Sequence, residues 1–435
     1  MMSAKSRSCQ AQAQICNADH PAGSRFVRHL KSLLASGEEE AITQLLKNHI
    51  KHMDAIIELD NDDWMKEPTA EIPPQVLLGL WSLEYTQELT SPLCITSSHG
   101  YTDCVRYLLH RRANPNAAPG GRSPLHEACA GGHDACVQLL LDYGANPNQR
   151  SDDGLTPLHL CETNSSLRCA ELLLQRGALV NETTEATQES PLHIAARSGL
   201  PGHVDLYLQR GALISSRNSE DETPLIVACV GKSADEKSRF EICRLLLEKG
   251  ADPEAQDQQN RRPLHHACRK AEHSLVELLL EAGVDVNAAD YSGVQPLSLV
   301  LQNARLRHEK RPHLSVRVLL NHGARCVHPA YFGKVLRFCS GLPDVIALLY
   351  NTYVNLHVSS QWRQDIPDDV IYSHHSFYTT FFSLSGRVRS LQHLCRFTLR
   401  KHFGSQCYRF IPLLPVPTVI KDYLLLVGEQ SSSLL

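Results

Sequence analysis

No apolar run in this chain of 435 residues approaches the ~20 residues that a membrane-spanning helix needs, so no membrane partner is expected. An excess of charge is missing as well. The 43 basic residues stand against 47 acidic ones, a formal net charge of −4, and no whole-chain field selects a polyanion or a lipid surface. The opening MMSAKSRSCQAQAQ lacks the apolar core of a secretion signal. Cysteine is plentiful, at 15 residues, yet no two form a C-x-x-C pair, which excludes the usual RING zinc ligands. An odd, scattered cysteine set points to a reducing compartment, the cytoplasm with the nucleus possible. No G-x-S-x-G nucleophile turn occurs, and Ile226 stands where a phosphate loop ending in Gly231-Lys232-Ser233 needs glycine. Neither an enzyme, a cofactor nor a metal is expected; a lone cysteine placed beside a histidine by the fold stays open.

What is present is self-similarity. SPLCITSSHG from Ser91, SPLHEACAGG from Ser123, TPLHLCETNS from Thr156, SPLHIAARSG from Ser190, TPLIVACVGK from Thr223, RPLHHACRKA from Arg262 and QPLSLVLQNA from Gln295 follow one another. Their prolines are 32 to 34 residues apart, except for 39 between Pro224 and Pro263. Each unit continues with a segment such as CVQLLLDYGANPN or LVELLLEAGVDVN. Ser or Thr before Pro supplies a helix N-cap, and Pro gives up an N–H that the first turn leaves unbonded. A first helix is therefore expected at each of these prolines. The LLL run of the second helix is too apolar for an isolated pair, so neighbours must stack on it. Gly144, Gly177, Gly211, Gly250 and Gly283 stand where a left-handed C-cap is wanted.

These seven copies, over residues 90 to 326, resemble the ankyrin repeat, with its period near 33 and its T-P-L-H-x-A signature. The histidines 126, 159, 193 and 265 share one register and read as capping and packing residues rather than metal ligands; Cys129, Cys161, Cys229 and Cys268 read as small buried hydrophobes. The 39-residue spacing comes from extra residues in GKSADEKSRFEIC, expected as an exposed charged insertion able to touch a partner. Residues 23 to 89 are expected as an N-terminal helical cap, residues 1 to 22 as disordered, and residues 327 to 369 as a divergent last repeat with helices on either side of Pro343. The C-terminal region spans 370 to 428, with a tail at 429 to 435.

From Val370 to Lys421 there is no Asp or Glu, while Arg387, Arg389, Arg396, Arg400, Lys401 and Arg409 lie inside, a bias that fits nucleic acid. Yet Leu391, Leu394, Cys395 and Leu399 make an apolar stripe on one helix that ends at Gly404, and the basic residues fall off that stripe or gather near the helix end. Beyond it RFIPLLPVPTVIKD carries prolines at 412, 415 and 417, which neither a helix interior nor a central strand accepts. So short a region must dock on the repeats or on a partner.

SLQHLCRFTL is similar to the elongin-C-binding box of SOCS boxes, met by Leu391, Cys395 and Leu399. LPVP resembles the cullin box, met by Leu414, Pro415, Val416 and Pro417. Both boxes, in order after an ankyrin array, resemble the ankyrin-repeat and SOCS-box family, although Val388 replaces a proline often found before the first box. The resemblance implies an all-α fold, an ankyrin solenoid with short hairpin loops and a small three-helix SOCS box. It implies a non-catalytic substrate receptor that joins elongins B and C, a type-5 cullin and its RING protein to an unknown protein target. It also makes Asn287, in LLLEAGVDVNAAD, a candidate for hydroxylation. The hairpin tips near Ala117, Arg150, Thr183 and Arg217 are where such arrays bind proteins, but no substrate residue is assigned. Three alternatives stay open: a plain ankyrin scaffold whose C-terminal stripe is its own core, a nucleic-acid binder using the basic helix, and a P-x-x-P ligand at Pro412 to Pro415.

Overall fold

The computed structural model describes residues 18–60, 87–231, 235–385 and 389–427. Most of the N-terminal stretch expected as disordered, Arg387, Val388 and the tail lie outside them. The chain divides into two compact units at Ala186. Each is a stack of short antiparallel helix pairs, with first helices packed on first helices and second on second.

In the first unit, helices Arg25–Ser36 and Glu39–His49 form the expected capping pair, broken at Gly37. Glu39 accepts hydrogen bonds from the N–H groups of Asp103 (2.8 Å) and Cys104 (3.2 Å), so its carboxylate caps helix Thr102–His110 of the first repeat. The cap is not wholly helical. Ile57–Asp60 pairs antiparallel with Gln87–Thr90 as two short strands, where the helical reading ran on through AIIEL. Adjacent β-branched Ile56 and Ile57 favour the strand, and the later segment Gln87–Thr90 supplies its ladder partners.

Repeat helices then follow at Pro92–Ser98, Thr102–His110, Pro124–Gly131 and Asp134–Asp142. At Pro157 the expected α-helix is only a 3₁₀ turn, Pro157–Leu160, ahead of helix Leu167–Gln175. The polar run after it explains why. Ser166 Oγ donates to the Thr163 carbonyl (2.7 Å), the Thr163 N–H donates to Ser166 Oγ (3.2 Å), and Thr163 and Ser165 hydroxyls bond each other (2.9 Å). These local bonds offer the backbone an alternative to helix.

In the second unit the pairs are Pro191–Ser198 with Pro201–Gln209, Pro224–Val230 with Glu236–Glu248, Pro263–Lys270 with His273–Glu281, Pro296–Asn303 with Pro312–Asn321, and Phe332–Cys339 with Pro343–Tyr350. The last pair flanks Pro343 as expected. Among its described residues the charged insertion is only partly exposed: it lengthens helix Glu236–Glu248, and its Arg239 is buried in an ion pair with Glu272. An aromatic helix, His375–Ser383, buries Phe377, Tyr378 and Phe381 against the last repeat, with the Tyr378 hydroxyl donating to the Ser340 carbonyl.

Three of the repeated histidines both cap and tie, while His265, among the described residues, caps alone, accepting the Arg262 N–H at Nδ1 (3.1 Å). The Ser190 N–H donates to His193 Nδ1 (3.2 Å), which leaves Nε2–H to donate to the Glu222 carbonyl of the next repeat (3.2 Å). His126 does the same toward Leu155 (3.0 Å), and His159 toward Glu182 (3.1 Å). Each imidazole must stay neutral, since Nδ1 is an acceptor. Cys129, Cys161, Cys229 and Cys268 are buried.

Candidate functional site

The C-terminal region begins with Ser390, whose hydroxyl accepts the His393 N–H (3.3 Å) and starts helix Leu391–Phe403; Gly404 ends it at φ 54°. A short helix Cys407–Phe410 and a last helix Thr418–Leu424 complete three helices. Cys407, Ile411 and Leu424 are buried between them, with Phe403, Leu414 and Leu425 packed partly against that core.

The long helix sits on the second unit by its polar face, an orientation not anticipated from its apolar stripe. Arg396, only 2% exposed, donates to the Asn351 carbonyl (3.2 Å), and its guanidinium lies 4.2 Å from the centre of the Tyr423 ring. Arg400 donates to the Leu320 carbonyl (3.0 Å), to the Asn321 side chain (2.7 Å) and to the Leu424 carbonyl (2.8 Å). Leu320, Tyr350 and Asn351 lie at the C-terminal ends of repeat helices, where carbonyls lack partners within the helix and the dipole is negative. The arginines supply those partners. His393 Nε2 donates to the Tyr353 carbonyl (2.8 Å), while Nδ1 accepts from Arg396 (3.1 Å). Burial pushes this imidazole down to about 4, against the pull of the Tyr353 carbonyl and with Arg389 and Arg396 adding to the effect. Residues 389, 393, 396 and 400 recur at helical spacing, a signal present in the sequence but hidden behind the apolar stripe.

With the polar face turned inward, the stripe is left outward. Leu391 is 77% exposed, Cys395 and Leu399 are exposed, and Leu394 is half-buried. Such an uncovered ridge on a helix fits an apolar groove of another chain. The residues given to the cullin box by resemblance divide. Leu414 turns partly into the small core, Val416 is half-buried, and Pro415 and Pro417 are exposed. Leu414 (φ −63°, ψ 141°) and Pro417 (φ −54°, ψ 150°) are extended in the manner of polyproline, as the three prolines require. Near them Phe410, Leu413, Val419 and Ile420 are exposed, adding to the apolar surface of the same three helices.

Asn287 is half-buried in a loop, and its side chain brackets two repeats: Nδ2 donates to the Gly323 carbonyl (3.1 Å) and Oδ1 accepts the Arg325 N–H (2.8 Å). Asn148 makes the same bracket to Gly177 (3.0 Å) and Leu179 (2.8 Å) in the first unit. This is a structural role that the sequence reading did not assign.

Comparison with known proteins agrees with this architecture. A family model described as ankyrin repeats matches overlapping stretches from residue 77 to residue 330, and one described as the SOCS box matches residues 387–425. The human protein called ankyrin repeat and SOCS box protein 18 is 45% identical, covering 94% of this chain and 97% of its own. The mouse ankyrin repeat and SOCS box protein 10 is 45% identical, and the mouse protein numbered 16 is 40% identical; each covers 81% of this chain and 77% of its own.

Proposed function

Because the chain belongs to the ankyrin repeat and SOCS box family, we propose that it is the substrate receptor of a ubiquitin ligase built on elongins B and C, a type-5 cullin and its RING protein. The observation that carries this reading is the outward stripe of Leu391, Cys395 and Leu399 on a helix whose buried residues are His393 and Arg396. Leu391 fills a pocket on elongin C, and Cys395 lies against it as a side chain small enough for close approach. The extended Leu414 to Pro417 segment presents its exposed prolines to the cullin, already ordered, so that less conformational freedom is lost on binding.

The ankyrin repeats hold the target. Ubiquitin transfer is carried out by the partner subunits, and this chain contributes by keeping target and ubiquitin donor at high effective concentration. We place it in the cytoplasm, with the nucleus possible, where free thiols such as those of all its described cysteines persist. Asn287 remains the candidate for hydroxylation, which requires its bracket to Gly323 and Arg325 to open first.

The test is co-expression with elongins B and C and the type-5 cullin. The full chain should capture all three. Leu391→Ala with Cys395→Ala should lose elongins and cullin together, whereas Pro415→Ala with Pro417→Ala should keep elongins and lose cullin. A wild-type chain that folds and captures no elongin refutes the reading and leaves a plain ankyrin scaffold.

A further inference from the structure

Two inter-helix loops of the second unit break the repeat's habit. Between Ser198 and Pro201, and again between Lys270 and His273, the connection is short. It lengthens between Val230 and Glu236, and again between Asn303 and Pro312, where the sequence reads ARLRHEKR. The second insertion was invisible to the proline register, because no later copy follows it.

Described residues at the ends of the earlier insertion contact the later insertion and the repeat between them. Lys310 of the later one forms an ion pair with Glu236 beside the earlier one. Lys270, in the middle repeat, donates to the Gly231 carbonyl (2.7 Å), and the buried Arg239–Glu272 pair lies on the same edge. Burial holds the Lys270 ammonium below its usual range; Arg239 and Arg307 push the same way, while Glu272 opposes them. Two acids of this edge, Glu236 and Glu272, are thus already engaged by Lys310 and Arg239. Arg269, Arg305, Arg307 and Arg311 are exposed and, among the described residues, form no ion pair; Glu309 is the one acid within the later loop. In their midst Leu306 is 78% exposed.

We infer that this edge is a docking surface for an acidic, extended segment of the protein to be ubiquitinated, with the arginines on its carboxylates and Leu306 on one apolar side chain. The inference rests on the receptor role proposed above and specifies the chemistry of what is received. Charge complementarity argues for an acidic chain. A protein segment is favoured over nucleic acid because the edge interleaves a leucine rather than stacking aromatics, and because Glu236, Glu272 and Glu309 lie among its cations.

Fluorescence anisotropy of the full chain tests this with a labelled peptide of glutamate and serine around one leucine, against its glutamine analogue and a single-stranded oligonucleotide. The acidic peptide should bind about tenfold tighter than the analogue and weaken with salt. Arg305→Glu, Arg307→Glu, Arg311→Glu should abolish that preference, and Leu306→Ser should weaken binding several-fold. Should the triple reversal lower the melting temperature, Arg305→Gln with Arg307→Gln gives the same test with a smaller loss. Equal binding of both peptides, an unaffected reversal variant, or tighter binding of the oligonucleotide overturns the inference. Elongin capture should be intact in the reversal variant. Peptide binding without elongin capture would remove the ligase reading and leave this edge standing, whereas the converse removes this edge alone.

Discussion

The guanidinium of Arg389 lies 3.8 Å from the centre of the Tyr350 ring, and its Nη2 donates to that residue's own carbonyl at 2.8 Å. One arginine thereby covers an aromatic face and satisfies the end of helix Pro343–Tyr350. Arg396 repeats the arrangement with the Tyr423 ring and the Asn351 carbonyl, and Arg400 donates to the Leu320 carbonyl, so half of the six basic residues that suggested nucleic acid are engaged inside the molecule. The C-terminal helix is attached by cations on carbonyls, and its apolar face stays available.

Removing the central cation should loosen that attachment. Arg396→Met keeps the aliphatic stem but leaves the Asn351 carbonyl without its donor and Tyr423 without its cation, at a cost of about 2–3 kcal/mol. Hydrogen exchange should show faster amides in Leu391–Phe403 and unchanged ones in Pro224–Val230. Unaltered protection in the C-terminal helix contradicts the clamp.

Two glycines separate backbone cost from contact cost. Gly283 and Gly323 share a left-handed backbone, φ 88° and 87°. A Cβ at Gly283 meets nothing within 4 Å, whereas one at Gly323 falls 2.7 Å from Ser405 Cα. Gly283→Ala should cost about 1–2 kcal/mol for the strained φ alone. Gly323→Ala should cost clearly more, read as a lower urea midpoint, because the loop after the C-terminal helix must move away. Equal losses would show that Ser405 does not rest on Gly323.

Acid should weaken the repeats through their histidines. Burial pushes His159 and His193 from the ordinary 6.5 down to about 4, and His126 and His265 move the same way. Unfolded imidazoles bind protons between those two values and folded ones do not, so stability is complete above pH 6.5 and falls as pH drops toward 4. Each of the two contributes up to about 3 kcal/mol to that fall. Urea midpoints measured at several pH values should decline over this window, and His159→Gln with His193→Gln should flatten the decline. A slope unchanged by the double substitution would rule the histidines out.

The prolines at 92, 124, 191, 224, 263 and 296 each open an α-helix where the sequence places one, because cap and first turn are written within a few residues. Pro157 fails since Thr163, Ser165 and Ser166 bind one another instead. The strands at Ile57 and Gln87 depend on pairing between segments far apart in the chain, which no local period records. At the candidate site, the stripe from Leu391 to Leu399 was legible from its spacing. The inward role of Arg389, His393, Arg396 and Arg400 was not, because their partners are carbonyls of repeat helices and of the last helix, and every residue carries a carbonyl. Leu414, given to the cullin box by resemblance, also packs partly against the small core, which its proline-rich setting does not record.

Calorimetric titration of purified elongin B–C dimer into the full chain tests the central claim most directly. Leu391 is 77% exposed, so Leu391→Ala should leave thermal stability within about 0.5 kcal/mol of the parent. The same change should weaken elongin binding by about a hundredfold, as expected for an anchor residue. Absence of binding by the parent chain, or equal affinity in the variant, would contradict an outward ridge made for elongin C.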